Sequence, residues 1–325
     1  MYRLFLFFIL PCSLFARKGI VDHFEGSHPW FTGPLFAPSS YVVSKGHFNF
    51  EPTVYLVAIP GAYNGNWHAV RGEHTFWANS FQAPLQIGLT SWLDITVNPT
   101  LYYNYVDHEA KWAFGDFPVA LDVQLYKPDS PLDWIPAVKL SLKETFPTGK
   151  YDHLNPKKQK TDAGGSGSFQ TSMGLVFGKL WHFGGIYFMG TRLLFLYVLP
   201  APVHLKNFNI FGGGEGTDAR FFPSQSFDVD LGIEITLAQH WAFACDFIGS
   251  FAGKSHFSGN PGTNPENGLP APLGSPGFAA EFSLAPALEY NWNANLGVIG
   301  GAWFSFAGRD SSYFRSAIIA INYYQ

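Results

Sequence analysis

Asp228, Asp230 and Glu234 occupy one parity of the run FDVDLGIEITL, and Phe227, Val229, Leu231, Ile233 and Ile235 occupy the other. The same parity sets Asp94, Asp116, Asp122, Lys139, Lys143, Asp246, Glu281 and Glu289 against apolar neighbours in further runs. Alternate side chains of an extended chain point to opposite faces. These residues therefore make one polar, charged face in which nine acids outnumber two lysines. Such a face breaks no bonds. It sets an electrostatic field, and rings of Asp and Glu lining a pore favour cations.

Bond-making chemistry finds little support. A hydrolase needs a nucleophile and a His within hydrogen-bond reach, oriented by a third group. His108, His153, His204 and His256 fall in stretches that read as loops, and His240 neighbours a Trp. Ser255 and His256 are adjacent, a spacing that points them apart in an extended chain. No His, Cys or Asp cluster has metal-ligand spacing, so no metal or other cofactor is expected and the chain is not read as an enzyme. FGGGEGTD (211–218) is Gly-rich but lacks a Lys and opens no helix, which leaves a flexible loop; GGSGS (164–168) reads the same way. NPKKQK (155–160) is a basic cluster that reads first as a solvated loop and only second as a contact for lipopolysaccharide phosphates. There is no basic domain, so nucleic acid is not an expected partner.

The elements that carry these charges must be strands of unusual length. TSWLDITVNPTLYYNY (90–105) holds its two-residue beat for about twice the five or six residues of an ordinary strand. A tilted membrane-crossing strand needs roughly 9–11 residues. The beat returns in GHFNFEPTVYLVAI, WANSFQAPLQIGL, GDFPVALDVQLY, PAVKLSLK, SFQTSMGLVFG, WAFACDFIGSF and FAAEFSLAPALEY. It is poorer at 181–199, 295–306 and 314–324; LLFLYV (193–198) has none, so Arg192 receives no face, and Arg315 sits awkwardly among apolar neighbours. Charged residues are only 14% of the 325 and aromatics 18%, with mean hydropathy near zero. Low charge, many aromatics and middling hydropathy suit a membrane barrel, where oily and polar residues average out along each strand. The expected fold is all-β: a transmembrane antiparallel up-and-down β-barrel of outer-membrane type with about twelve strands.

Short connections are expected near 90–92, 127–133, 179–181, 238–241 and 291–294. Long ones are expected near 60–72, 106–115, 148–167, 200–226, 252–276 and 307–313. Trp92, Trp134, Trp181, Trp241 and Trp292 stand one to each short connection. Indole prefers the headgroup level, so these five are expected to form a membrane-interface girdle at the periplasmic rim.

The N-terminus reads as a separate matter. Residues 1–16, MYRLFLFFILPCSLFA, carry Arg3, an apolar core and a small residue at the end, the pattern of a secretory signal peptide. Its removal leaves a single cysteine, Cys245, and so no intramolecular disulfide. Residues 17–45 are expected to be a periplasmic or plug-like segment and 46–325 the barrel. WFTGPLFAPSS (30–40) is aromatic and holds two prolines, which bars it from a regular central strand. Trp30, Phe31, Pro34 and Phe36 are its candidates for gating the mouth.

WFTGPLFAPSS, GDFPVAL (115–121), ETFPTGKY (144–151) and GSGSFQT (165–171) resemble a bacterial family named for a component of the meta-pathway of phenol degradation. The resemblance covers most of the chain after residue 16. It implies an outer-membrane barrel with a transport-related role and supplies no catalytic residues. The expected function is a porin-like channel or transporter for small solutes, aromatic or polar, in the Gram-negative outer membrane. The alternative is a non-conducting barrel that acts through its long loops as a surface protein, and an outer-membrane hydrolase ranks behind both. The partners expected are outer-membrane lipids, lipopolysaccharide and a small-molecule solute. The sequence names neither that solute nor an oligomeric state.

Overall fold

The computed structural model describes residues 29–265, 267–275 and 277–325. The signal peptide expected at 1–16 lies outside the described residues, as does the rest of the chain up to residue 28.

The first strands come as interrupted pairs: β1 (Phe48–Phe50) with β2 (Thr53–Tyr63), β3 (Ala69–Gln82) with β4 (Leu85–Gly88), β5 (Leu93–Val97) with β6 (Thr100–Val106), and β7 (Glu109–Phe114) with β8 (Phe117–Tyr126). Each pair makes one continuous stave. Eight further staves follow: β9 (Ala137–Phe146), β10 (Gln170–His182), β11 (Phe188–Pro200), β14 (Ser226–Ala238), β15 (Trp241–Ala252), β17 (Ala279–Asn293), β18 (Leu296–Arg309) and β19 (Ser312–Tyr324). Neighbouring staves pair antiparallel, and β19 returns to pair with both β2 and β1. The result is a closed barrel of twelve staves with no open edge.

The four interruptions lie side by side. Pro52, Pro84 and Pro99 have no N–H to give, and Gly115 leads the break in the fourth stave. The ladder is carried across by Glu51 N–H to Pro84 O (3.1 Å), Ala83 N–H to Pro99 O (3.2 Å) and Gly115 N–H to Thr100 O (2.9 Å). A crease therefore crosses a third of the wall without leaving it unpaired.

The connections depart from expectation at three places. The stretches read as long loops near 60–72, 106–115 and 307–313 are tight hairpins of residues 64–68, 107–108 and 310–311. Their flanks are strand, with polar residues on both faces, as water above the membrane allows, so no two-residue beat announces them. Asp107 and Asp310 take left-handed φ values of 52° and 49° at the tips, a conformation Asp tolerates better than most residues. The turn expected at 179–181 lies at 183–187 instead. The other three long connections, 147–169, 201–225 and 253–278, rise at the same end of the barrel as these hairpins. They build a small sheet of β12 (Val203–Lys206), β13 (Asp218–Phe222) and β16 (His256–Asn260). The Gly-rich 211–218 belongs to this assembly through bridges Gly212–Leu273 and Glu215–Thr263. It is a bonded structural piece and not the loose loop expected.

The outer face carries exposed apolar side chains from every stave, among them Leu56, Phe81, Ile87, Leu121, Leu142, Met173, Phe195, Leu231, Phe247, Leu288, Phe306 and Ile319. The inner face is not uniformly polar. Tyr55, Phe76, Val106, Leu194, Leu196, Ile299, Trp303, Phe314 and Ile318 are buried inside. This accounts for the weak beat at 193–198, 295–306 and 314–324: there the chain needs apolar residues on both faces.

Candidate functional site

The lumen is occupied by the chain's own residues 29–45. Pro34 and Pro38 deny this segment a strand ladder, and it joins none. Its main chain is met by side chains of the wall instead. Asn291 Nδ2 donates to Trp30 O (2.8 Å), and the Thr32 N–H donates to Glu289 Oε2 (2.8 Å). The N–H groups of Phe36 and Ala37 donate to the two Asp246 oxygens (3.3 and 2.9 Å). Arg192 donates to Ala37 O (3.3 Å), and Gln124 both donates to Ser40 O (2.9 Å) and accepts from the Val42 N–H (3.0 Å). The Val43 N–H donates to Asp94 Oδ2 (2.7 Å).

Of the four mouth candidates, Trp30 meets His240 edge-on at 4.8 Å, and Phe31 is buried with Leu180, Phe188 and Ala242. Pro34 is buried beside Gly232. Phe36 is 2% exposed, with its ring 4.8 Å from Trp303 and 6.3 Å from Tyr55.

Glycines in the wall make this close approach possible. A Cβ on Gly232 would come within 2.5 Å of Ala37 Cβ, on Gly178 within 2.1 Å of Ser40 Oγ, on Gly297 within 2.5 Å of Thr32 Oγ1, and on Gly88 within 2.0 Å of Ser44 O. Sequence reasoning passed over these notches and Asn291, left Arg192 without a face and did not single out Gln124. The signal available was Gly at the inward parity of a long strand, which marks a place where another backbone approaches.

The charged residues of the inward parity are all buried or half-buried, and they divide into five groups. Asp94, Asp246 and Glu289 hold the segment described above. Asp122 pairs with Lys139 at 2.8 Å, both fully buried, and Gln86 donates to Asp94 at 2.7 Å beside them. Glu234 pairs with Arg192 at 3.0 Å, which gives that arginine an inward face; Asp230 is buried on the same stave as Glu234, opposite Leu194. Arg315 points outward and is exposed. Asp116 does not face open lumen: it accepts from the Gly149 N–H (2.9 Å), the Ser166 N–H (2.7 Å) and Ser166 Oγ (2.7 Å), clamping the 147–169 loop. This clamp joins three of the four motif strings, GDFPVAL, ETFPTGKY and GSGSFQT.

Lys143, Asp228 and Glu281 line a cavity of about 240 Å³. Phe36 contributes to its lining from the plug, and Phe211 and Phe221 do so from the loops. Trp92, Trp134, Trp181, Trp241 and Trp292 are all exposed at the short-turn end of the barrel, the end from which residue 29 enters.

The hydrolase candidates are not joined. Ser255 Oγ donates to Ser275 O (3.2 Å), while the His256 ring stacks on Phe222 at 4.5 Å.

Among solved structures, the fold matches an outer membrane channel from Pseudomonas putida F1 with a TM-score of 0.67. That match has 11% sequence identity and covers 88% of this chain and 98% of that one. Matches at lower TM-score include the beta domain of the Bordetella autotransporter Brka (0.46, 9% identity, 85% and 98% covered) and the NanC porin (0.42, 10% identity, 84% and 98% covered). No family model matches the sequence, and no curated protein does. The first likeness fixes the fold class: a closed antiparallel barrel of the outer-membrane type.

Proposed function

We propose that the chain is exported by its signal peptide to a Gram-negative outer membrane and works there as a channel for small solutes, with residues 29–45 as its gate. The observation that carries this reading is the way the lumen is closed. A ladder would make the segment part of the wall. Single hydrogen bonds from side chains, each worth about 0.5–1.5 kcal/mol net, make it a separable plug. The cavity beyond the plug is a station that a solute would occupy on its way. Both the resemblance to the phenol meta-pathway family and the match to an outer membrane channel from Pseudomonas putida F1 agree with transport, and aromatic or polar compounds are the solutes the resemblance brings forward.

Planar-bilayer recording tests the reading. Gly232→Leu drives a side chain into Pro34 and Ala37 without altering the plug itself. The wild type is expected to conduct in brief, rare openings, and the variant to conduct more often and at higher unit current. A folded Gly232→Leu barrel that passes no current overturns the channel reading in favour of a filled barrel acting through its loops.

A further inference from the structure

The cavity above the plug has a polar end of unusual composition. Asp228 stands opposite Ser250 in the ladder, and Ser250 stands opposite Glu281. The three side chains thus share one rung on staves β14, β15 and β17. Adjacent strands lie about 4.8 Å apart, so the two carboxylates flank a hydroxyl across roughly 10 Å. Glu281 is only 4% exposed and lines the cavity, and its Oε2 has no hydrogen-bond partner among the described residues. A buried acceptor left without a donor bears its full desolvation cost. Glu281 therefore lacks a donor among the described residues, and a bound solute would supply one.

The rest of the lining decides what kind. Phe36, Ile248 and Trp303 give the cavity an apolar, aromatic body. Aromatic faces attract cations, and Lys143 stands five staves from Glu281 along the wall, which leaves the acidic rung as the place for positive charge. A calcium ion would need six or more oxygens, and no group of three His, Cys, Asp or Glu side chains among the described residues could hold a metal. A volume of about 240 Å³ exceeds the roughly 150 Å³ that accommodates benzene in a dry cavity. We infer that this cavity binds small primary ammonium compounds, with the ammonium between Asp228 and Glu281 and the apolar body against Phe36, Ile248 and Trp303. The inference rests on reading the lumen as a solute path, and it names a solute class for that path.

Titration calorimetry on the full, folded barrel with butylamine tests it, with butanol and butyrate as probes of the same body and different charge. Butylamine is expected to bind at least tenfold more tightly than either. Glu281→Gln is expected to weaken it at least tenfold, and Glu281→Asp to recover part of the loss. If Glu281→Gln does not fold, Asp228→Asn reads the same rung. Equal binding of butanol, unchanged butylamine affinity in a folded rung variant, or displacement of butylamine by calcium overturns the assignment. Calorimetry needs no current. A barrel that binds butylamine and never conducts refutes the channel and keeps the site, and a conducting barrel indifferent to butylamine does the reverse.

Discussion

Lys139 is the cation whose removal should cost most. Its ammonium is fully buried 2.8 Å from Asp122, and Asp94 lies one Gln86 bridge away. Lys139→Met leaves buried negative charge without its counter-ion, a change of about 3–5 kcal/mol. Adding Asp122→Asn should return a good part of that, and urea unfolding in lipid reads both variants. Lys160 offers a pH test outside the membrane. It donates to Ile210 O at 3.1 Å, and burial lowers its ammonium to about 8. An unfolded lysine keeps its proton up to about 10.4. The docked loop therefore carries the full penalty below about pH 8 and gains stability as pH rises from there towards 10. Proteolysis of the 147–169 loop should slow relative to Lys160→Met over that interval; a constant ratio contradicts it. At this scale the parity of the acids and lysines could be read from the sequence, because a charge has only one tolerable face in a membrane strand. Arg192 was unreadable because LLFLYV is apolar on both faces, one towards lipid and one towards the lumen.

The loop 147–169 is held by two polar side chains of the wall. Asp116 accepts three hydrogen bonds from Gly149 and Ser166, and Asn104 donates to Thr161 O and Ala163 O (3.1 and 2.8 Å). Asp116→Ala strands three donors, each at about 1–3 kcal/mol if buried. The loop is then expected to be cut by trypsin at Lys150, Lys157 or Lys158 at least tenfold faster, while the barrel's unfolding midpoint moves little. Equal cutting rates would mean that the loop is held by its own apolar contacts, Leu154 and Ala163 with Ile210. Elements inside the membrane could be read from the beat, and the number of staves with them. Elements that rise above it could not, since β7 and the first half of β3 have water on both sides and no reason to alternate. The plug's aromatic and proline content separated it from the strands, but its path depends on Gly88, Gly178, Gly232 and Gly297, which mean something only once the second backbone is known.

For the whole molecule, the distribution of charge depends on whether the plug is seated. Asp94, Asp246 and Glu289 spend their acceptors on plug N–H groups. Removing residues 29–43 exposes all three to the lumen and gives a pore wall richer in free carboxylate. Such a pore is expected to prefer cations across a potassium chloride gradient and to lose much of that preference near 1 M salt, where the Debye length is about 3 Å. Asp246→Asn with Glu289→Gln in the shortened chain should lower it further, and a reversal potential of the opposite sign would refute the assignment. The seam between β2 and β19 has a temporal meaning as well. It joins residues 53–62 to 312–320, nearly the two ends of the barrel sequence. The plug's grips are scattered from Asp94 to Asn291, so no early hairpin can hold it. Contacts this distant in sequence form slowly. Sealing the wall and seating the plug are therefore expected to be the last, coupled steps of assembly, after a stage with the sheet unclosed and the interior unfilled. On the export route proposed above, that stage is the interval in which a chaperone has something to protect.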